Sequence, residues 1–182
     1  FGDIYGVMNG LFEHQSVVVI DNFFNDFSMF CESVKKIPVY EHSEHPEEMK
    51  ANERWPGKRS SDLVLSNPIL TALFLETLRN KVGVNMSFNI SLYTHLRTKD
   101  TDAVDFCHQD DCYVSGLVYL SKTNLDSGTK FFDCDGGKEI TTVNFVQNRA
   151  VFFKGNLWHR TFGAHGKNID DGRLTLNSFV FV

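Results

Sequence analysis

Arg173-Leu174-Thr175-Leu176-Asn177-Ser178-Phe179 alternates polar and apolar side chains over its first five residues. A period of two is the signature of a β-strand, because successive side chains leave opposite faces of the pleat. Arg173, Thr175 and Asn177 therefore share one face, while Leu174 and Leu176 occupy the other. The leucines demand an apolar core. The polar face has two readings. Turned outward, it is the ordinary wet side of an antiparallel sheet. Turned inward, it buries a guanidinium, which needs an anionic partner to offset its lost hydration.

Working back from this strand, the same alternation recurs almost without interruption from residue 86. Candidate strands lie near 86–97, 104–110, 113–121, 129–133, 139–145, 149–154, 157–163 and 172–182. Asp126-Ser127-Gly128, Asp135-Gly136-Gly137, Gly155-Asn156 and Asp170-Asp171-Gly172 are turn signals between them. Eight short strands so punctuated predict a double-sheet jelly roll, a double-stranded β-helix, rather than a parallel sheet.

The first half reads as mixed α/β. Val17 to Ile20 lie in a β-branched run, followed by the cap-type residues Asp21 and Asn22 and a helix over 24–36 closed by Pro38. A clearer helix begins at Ser66-Asn67-Pro68 and stops at Gly83, with Ile69, Leu70, Leu73, Phe74, Leu75 and Leu78 as its buried side. Residues 41–54 are charged and lack an apolar face, which suggests a mobile surface segment and a candidate lid. His42 and His45 within it are better read as part of a solvated charge run than as ligands. Lys58-Arg59 follows in a turn, a basic pair that can meet an anionic substrate or simply the acidic segment before it. The expected class is α+β, mainly β. It is one domain over 1–182, with an α/β support over 1–85, the jelly roll over 86–182, and the helices on one outer face.

A length of 182 residues allows a substantial core, and 42% apolar with 23% charged residues suits a water-soluble globular protein. The net charge of −5, without a long basic run, argues against a nucleic-acid backbone as main partner. No apolar stretch approaches the ~20 residues that cross a bilayer. The chain opens at Phe1 without a basic and then apolar leader, so no secretory signal is expected and a cytoplasmic location is. Cys31, Cys107, Cys112 and Cys134 form no CxxC pair and read as reduced thiols. Cys107 and Cys112 bracket a suggestive tripeptide, but the plainer reading of both is a reduced, buried filler.

That tripeptide is His108-Gln109-Asp110. Its outer residues are two apart, so on a strand both project from one face. Far downstream stands His159. Two imidazoles and a carboxylate can cover one face of an iron(II) ion and leave the opposite positions for substrate and oxygen. In a chain with seven histidines, His-x-Asp alone is weak, because a chance surface pair looks the same. Its place at a strand end, with His159 on the seventh strand and Arg173 opening the eighth, strengthens it. Arg173 offers a rigid fork suited to a carboxylate.

The chain here resembles the iron(II)- and 2-oxoglutarate-dependent dioxygenases, most nearly their prolyl 4-hydroxylase-like branch. The resemblance spans roughly the last hundred residues. It rests on His108-x-Asp110, Tyr119-Leu120 with Gly128-Thr129, the run from Ala150 to Trp158-His159, and Arg173-x-Thr175. The opening Val18-Val19-Ile20-Asp21-Asn22-Phe23-Phe24 also looks like the start of that branch. The resemblance implies that His108, Asp110 and His159 bind Fe(II). It implies that Arg173 pairs with the distal carboxylate of 2-oxoglutarate, with Thr175 adding a hydroxyl. Tyr93 matches a position that often supplies a further hydroxyl to this co-substrate; His95 and Tyr119 are alternatives for that part, and Tyr93 can equally be half-buried core.

The implied reaction uses O2, with ascorbate as a further candidate reductant. It hydroxylates an unactivated C–H of a peptide, amino acid or small metabolite and releases succinate and CO2. Trp158, Phe152, Phe153 and Phe162 are candidates for dry walls around it. Three departures refine the match. Prolyl 4-hydroxylases usually carry lysine where Arg173 stands. Phe179 occupies the place of an arginine in the DNA-repair branch. Asp110 stands where iron halogenases keep a small residue, which favours hydroxylation. Two other readings share the jelly roll: a cupin-type metalloenzyme, whose His-x-His is absent here, and a non-catalytic binding module. Structural zinc fits poorly, because structural zinc sites are closed.

Overall fold

The computed structural model describes residues 12, 16–46, 55–83, 89–101, 106–163 and 166–181. Among the described residues, nine strands form two antiparallel sheets. These are β1 (Val17–Ile20), β2 (Lys58–Arg59), β3 (Asn89–Arg97), β4 (Val114–Tyr119), β5 (Asn124–Phe132), β6 (Glu139–Phe145), β7 (Ala150–Lys154), β8 (Trp158–Phe162) and β9 (Arg173–Phe181). The larger sheet has the order β1-β7-β4-β9-β3-β2 and the smaller β6-β5-β8. The candidate strand over 104–110 is reduced to a single bridge, His108 to His159, along the free side of β8. Residues 102–105 lie outside the described set. Counting that bridge, the eight positions read from the sequence form a jelly roll, to which β1 and β2 add strands at the two edges of the larger sheet.

Strand parity divides the larger sheet. One face carries Val18, Leu92, Leu96, Val114, Val118, Phe152, Leu174, Leu176 and Val180, all buried under the helices. The helices are α1 (Phe27–Val34), α2 (Leu63–Ser66) and α3 (Pro68–Val82). They bring Phe30, Val34, Leu63, Leu70, Phe74 and Leu78 to this core. The other face meets the smaller sheet. Tyr119, Phe131, Val143, Phe145, Val151 and Phe153 form a second, smaller apolar cluster there.

Helix α3 is built as its sequence dictates. The Asn67 side chain accepts from the Leu70 amide at 3.2 Å, Pro68 occupies the first turn, and Gly83 ends the helix at φ 74°. Its buried stripe is Leu70, Phe74 and Leu78, whereas Ile69, expected inside, is 74% exposed. A stripe at i, i+4 and i+8 leaves i−1 on the solvent side.

The expectation for α1 needs more correction. Asp21 and Asn22 do not cap it. Asp21 holds Arg149 through two bonds, at 2.6 and 2.9 Å, and Asn22 turns the chain at φ 51°. Phe23 and Phe24 are drawn into the core before the helix starts at Phe27. The described part of the charged segment is also more anchored than its composition suggested. His42 and His45 pack against Trp55 with ring centroids 4.9 and 5.6 Å away, and His45 Nε2 lies 3.0 Å from the Ser60 carbonyl. The lid expectation for 47–54 falls outside the described residues. Among the described residues, no helix is long and apolar enough to cross a membrane.

Candidate metal centre

His159 lies on β8 and His108 opposite it, joined by paired backbone bonds of 3.0 and 2.9 Å. Asp110 follows in the loop. Its amide donates to the Gly155 carbonyl at 2.9 Å, and the Gln109 side-chain amide donates to the Asn156 carbonyl. Gly155 is required here, because a Cβ would lie 2.1 Å from the Cys112 carbonyl oxygen. The β7–β8 turn thus fastens the His108–Asp110 segment to the strand that carries His159.

One ligand atom from each of His108, Asp110 and His159 falls within 4.8 Å of the others. His108 Nε2 stands 3.8 Å from Asp110 Oδ1, and His159 Nε2 stands 3.5 Å from Asp110 Oδ2. The far side of each ring explains the orientation. His108 Nδ1 faces the Phe106 carbonyl at 3.1 Å, and His159 Nδ1 faces the Leu157 carbonyl at 2.9 Å. A carbonyl can only accept, so each Nδ1 carries the proton and each Nε2 offers a lone pair to the centre. Burial lowers the pKa of His159, and the Asp110 carboxylate only partly opposes this. The donor set is two imidazoles and a carboxylate on one side of a common point, which fits a divalent iron with open positions.

The thiols stay out of this set. The Cys112 thiol is pushed up to about 11, chiefly by burial, and lies 3.1 Å from Ser115 Oγ. Ser115 in turn donates to Asp110 Oδ2 at 2.5 Å. All four cysteines are free.

The triad opens into a cavity of about 470 Å3 between the sheets, whose lining includes Tyr93, His95, Arg97, Thr129 and Arg173. Arg173 is 4% exposed, so the polar face of β9 does look inward. Its guanidinium sits 5.6 Å from the Tyr119 ring and 5.7 Å from that of Phe145, with an Nη2 3.5 Å from Thr129 Oγ1. Thr129 Oγ1 and the Tyr119 hydroxyl are 2.8 Å apart. Burial raises the pKa of Tyr119 despite the nearby Arg173, so it keeps its proton and can donate. Burial first, and then Arg59, hold the His95 imidazole well below its usual value, with Arg173 and Arg97 adding to the effect. It faces the Pro56 carbonyl at 2.6 Å through Nε2.

The structure brings His108, Asp110, His159, Arg173 and Tyr93 to one cavity. Thr175 is not brought to the wall. It is fully buried, and its hydroxyl donates to Asn177 Oδ1 at 2.7 Å. Of the expected dry walls, Phe153 lies beside His159, with centroids 4.6 Å apart. Phe152 has the opposite parity and packs under the helices. Trp158 and Phe162 likewise alternate with His159 and Thr161, the two β8 residues that line the cavity. Phe106, Trp55, Phe179 and Phe181 supply its aromatic surface instead.

Sequence reasoning passed over Arg97 and Ser115, and met Thr129 only as part of the Gly128-Thr129 match, without a site role. Arg97 was accessible by the alternation already applied to β9, because Tyr93, His95 and Arg97 share a face of β3. Ser115 needed the loop geometry.

No family model matches the chain, and no curated protein matches it by sequence. Solved structures share its fold. A 2OG-Fe(II) oxygenase family oxidoreductase from Burkholderia pseudomallei aligns with a TM-score of 0.62 at 14% identity, over 99% of this chain and 90% of its own. HygX from Streptomyces hygroscopicus, with nickel and 2-oxoglutarate bound, aligns at 0.61 and 15% identity, over 95% and 85%. A Pseudomonas putida prolyl-4-hydroxylase aligns at 0.57 and 16% identity, over 98% and 99%. At such identities the likeness is one of fold.

Proposed function

We propose that the chain is a 2-oxoglutarate-dependent non-haem iron(II) dioxygenase that hydroxylates an unactivated C–H of a small metabolite, amino acid or peptide. The observation that carries this reading is the convergence of the His108, Asp110 and His159 triad with buried Arg173 in one cavity. Iron(II), when bound there with 2-oxoglutarate and oxygen, supplies the oxidising power that the side chains of this chain lack.

The protein's part is position, charge and exclusion of water. His108 and His159 present Nε2 because their Nδ1 protons are committed to carbonyls. Asp110 adds the third donor and a negative charge that holds a divalent cation. Arg173 receives the distal carboxylate of the co-substrate, and the Thr129 and Tyr119 hydroxyls beside it complete the cradle. Thr129, which lines the cavity, takes the hydroxyl role expected of Thr175, with Tyr119 bonded behind it and Tyr93 kept on the wall as the other candidate.

Anaerobic addition of iron(II) and 2-oxoglutarate is expected to give a weak visible charge-transfer band, which His159→Ala abolishes. Arg173→Leu is expected to weaken 2-oxoglutarate binding by about thirtyfold or more, as for loss of one partner of a buried charge pair worth about 2 kcal/mol or more. Unchanged affinity in that variant would remove the co-substrate assignment. Coupled succinate formation against a substrate panel identifies the primary substrate.

A further inference from the structure

The backbone around Asp111 is held from both sides, while its side chain is not. Before it, the Asp110 amide donates to the Gly155 carbonyl at 2.9 Å. After it, the Tyr113 amide donates to the Val180 carbonyl at 2.8 Å, and the Tyr113 carbonyl accepts from the Gly155 amide at 3.1 Å. The loop is thus fastened to the β7–β8 turn and to β9. Asp111 is exposed and lines the same cavity as the triad. Its carboxylate stands outside the His108, Asp110 and His159 group. Among the described residues, no donor or cation pairs with it.

Strand register sets this loop at the opposite end of the cavity from the co-substrate seat. Arg173 pairs with Arg97 where β9 begins. Phe179 lies further along the same strand, roughly 20 Å from Arg173 at about 3.4 Å per residue. Phe179 pairs with Ser115, whose hydroxyl bonds Asp110, the neighbour of Asp111. Phe181 and Phe106 also line the cavity, and the Phe106 ring is 50% exposed with its centroid 5.0 Å from that of His108.

An exposed carboxylate gains little from pairing in open water, but a substrate that fills the cavity displaces that water and reduces the screening. A planar amidinium or guanidinium can meet both carboxylate oxygens at once. The faces of aromatic rings attract a cation and also cover an apolar body.

We infer that Asp111 is a specificity-determining position that seats a cationic nitrogen group, an ammonium, amidinium or guanidinium, of a primary substrate with an apolar body. The inference rests on the dioxygenase reading for the fate of that substrate. The cation position itself is tested without turnover.

Calorimetric titration of the full chain, loaded with nickel(II) and 2-oxoglutarate, compares benzamidine with two probes of the same shape, neutral benzamide and anionic benzoate. Benzamidine is expected to bind about tenfold or more tightly than benzamide, as for one hydrogen-bonded charge. Asp111→Asn is expected to bring benzamidine down to the level of benzamide with nickel(II) affinity unchanged, while Asp111→Glu retains part of the preference. Equal binding of benzamidine and benzamide by the unaltered protein, no binding of benzamidine, tighter binding of benzoate, or a preference that survives Asp111→Asn overturns the proposal. A tenfold loss of nickel(II) affinity in Asp111→Asn also overturns it, by making Asp111 part of the metal centre. The unaltered protein alone decides the first three outcomes, whatever the stability of the variants. An absent iron(II)–2-oxoglutarate band removes the dioxygenase reading instead. The probe comparison, repeated on metal-free protein and on Asp111→Asn, then still decides the cation position.

Discussion

The Ser115 hydroxyl fixes which way the Asp110 carboxylate faces. Its Oγ donates to Oδ2 at 2.5 Å, and the side chain stands on β4, a strand of the larger sheet. The loop that carries Asp110 is thereby tied to a strand that is paired on both sides, by β7 and β9. Ser115→Ala removes that bond and leaves the strand intact. Nickel(II) affinity, measured by competition with a chelator, is expected to fall about ten- to a hundredfold, as for other groups that orient a metal ligand. An unchanged affinity would show that the carboxylate is positioned by its loop alone. His108, Asp110, His159 and Arg173 were legible as a candidate site because few residue types can ligate a metal or grip a carboxylate. Ser115 and Thr129 were not, because a hydroxyl acquires meaning only once register sets it beside a carboxylate or a guanidinium.

Asn148 shows how one side chain can join elements. It sits at φ 60°, a conformation in which asparagine is favoured over most residues. Its side chain donates to the Phe24 carbonyl and accepts from the Phe24 amide, both at 2.9 Å, and its own carbonyl accepts from the Phe23 amide at 2.9 Å. The connection from β1 to α1 is thus clamped to the turn before β7. Asn148→Ala loses two buried bonds and strains the backbone, so urea denaturation is expected to show a loss of about 2–4 kcal/mol. Asn148→Gly, which relieves the strain, is expected to lose less. The clamp also explains why a helix read from residue 24 begins at Phe27. Long-range bonds to Phe23 and Phe24 overrode local propensity. Helix α3, by contrast, was legible to its caps because Asn67, Pro68 and Gly83 act within its own length. Of the strand expected over 104–110, the described residues 106–110 hold a single bridge, because alternation reports faces and not the presence of a partner.

At the scale of the molecule, the cavity face of the larger sheet is a liability in acid. His95 is buried and its pKa lies well below the ordinary 6.5, first through desolvation and then through Arg59. A depressed histidine pKa means that the unfolded chain binds the proton more readily. Stability is then full above the unfolded value and declines as pH falls below about 6.5 towards the folded one. Thermal melting of the metal-free protein is expected to move down between pH 7.5 and 5.5, and His95→Gln is expected to flatten that trend. Stability that rises on acidification would contradict the environment assigned to His95. The parity of β9 has a further consequence. Leu174 and Leu176 hold the sheet to its helices, while Arg173 and Asn177 line the cavity. Adjacent codons along this strand are thus answerable to different selective pressures. Substitution at Asn177 or Phe179 reshapes the cavity and leaves Leu174 and Leu176 on their helices, so specificity and stability are written in alternate positions of one strand.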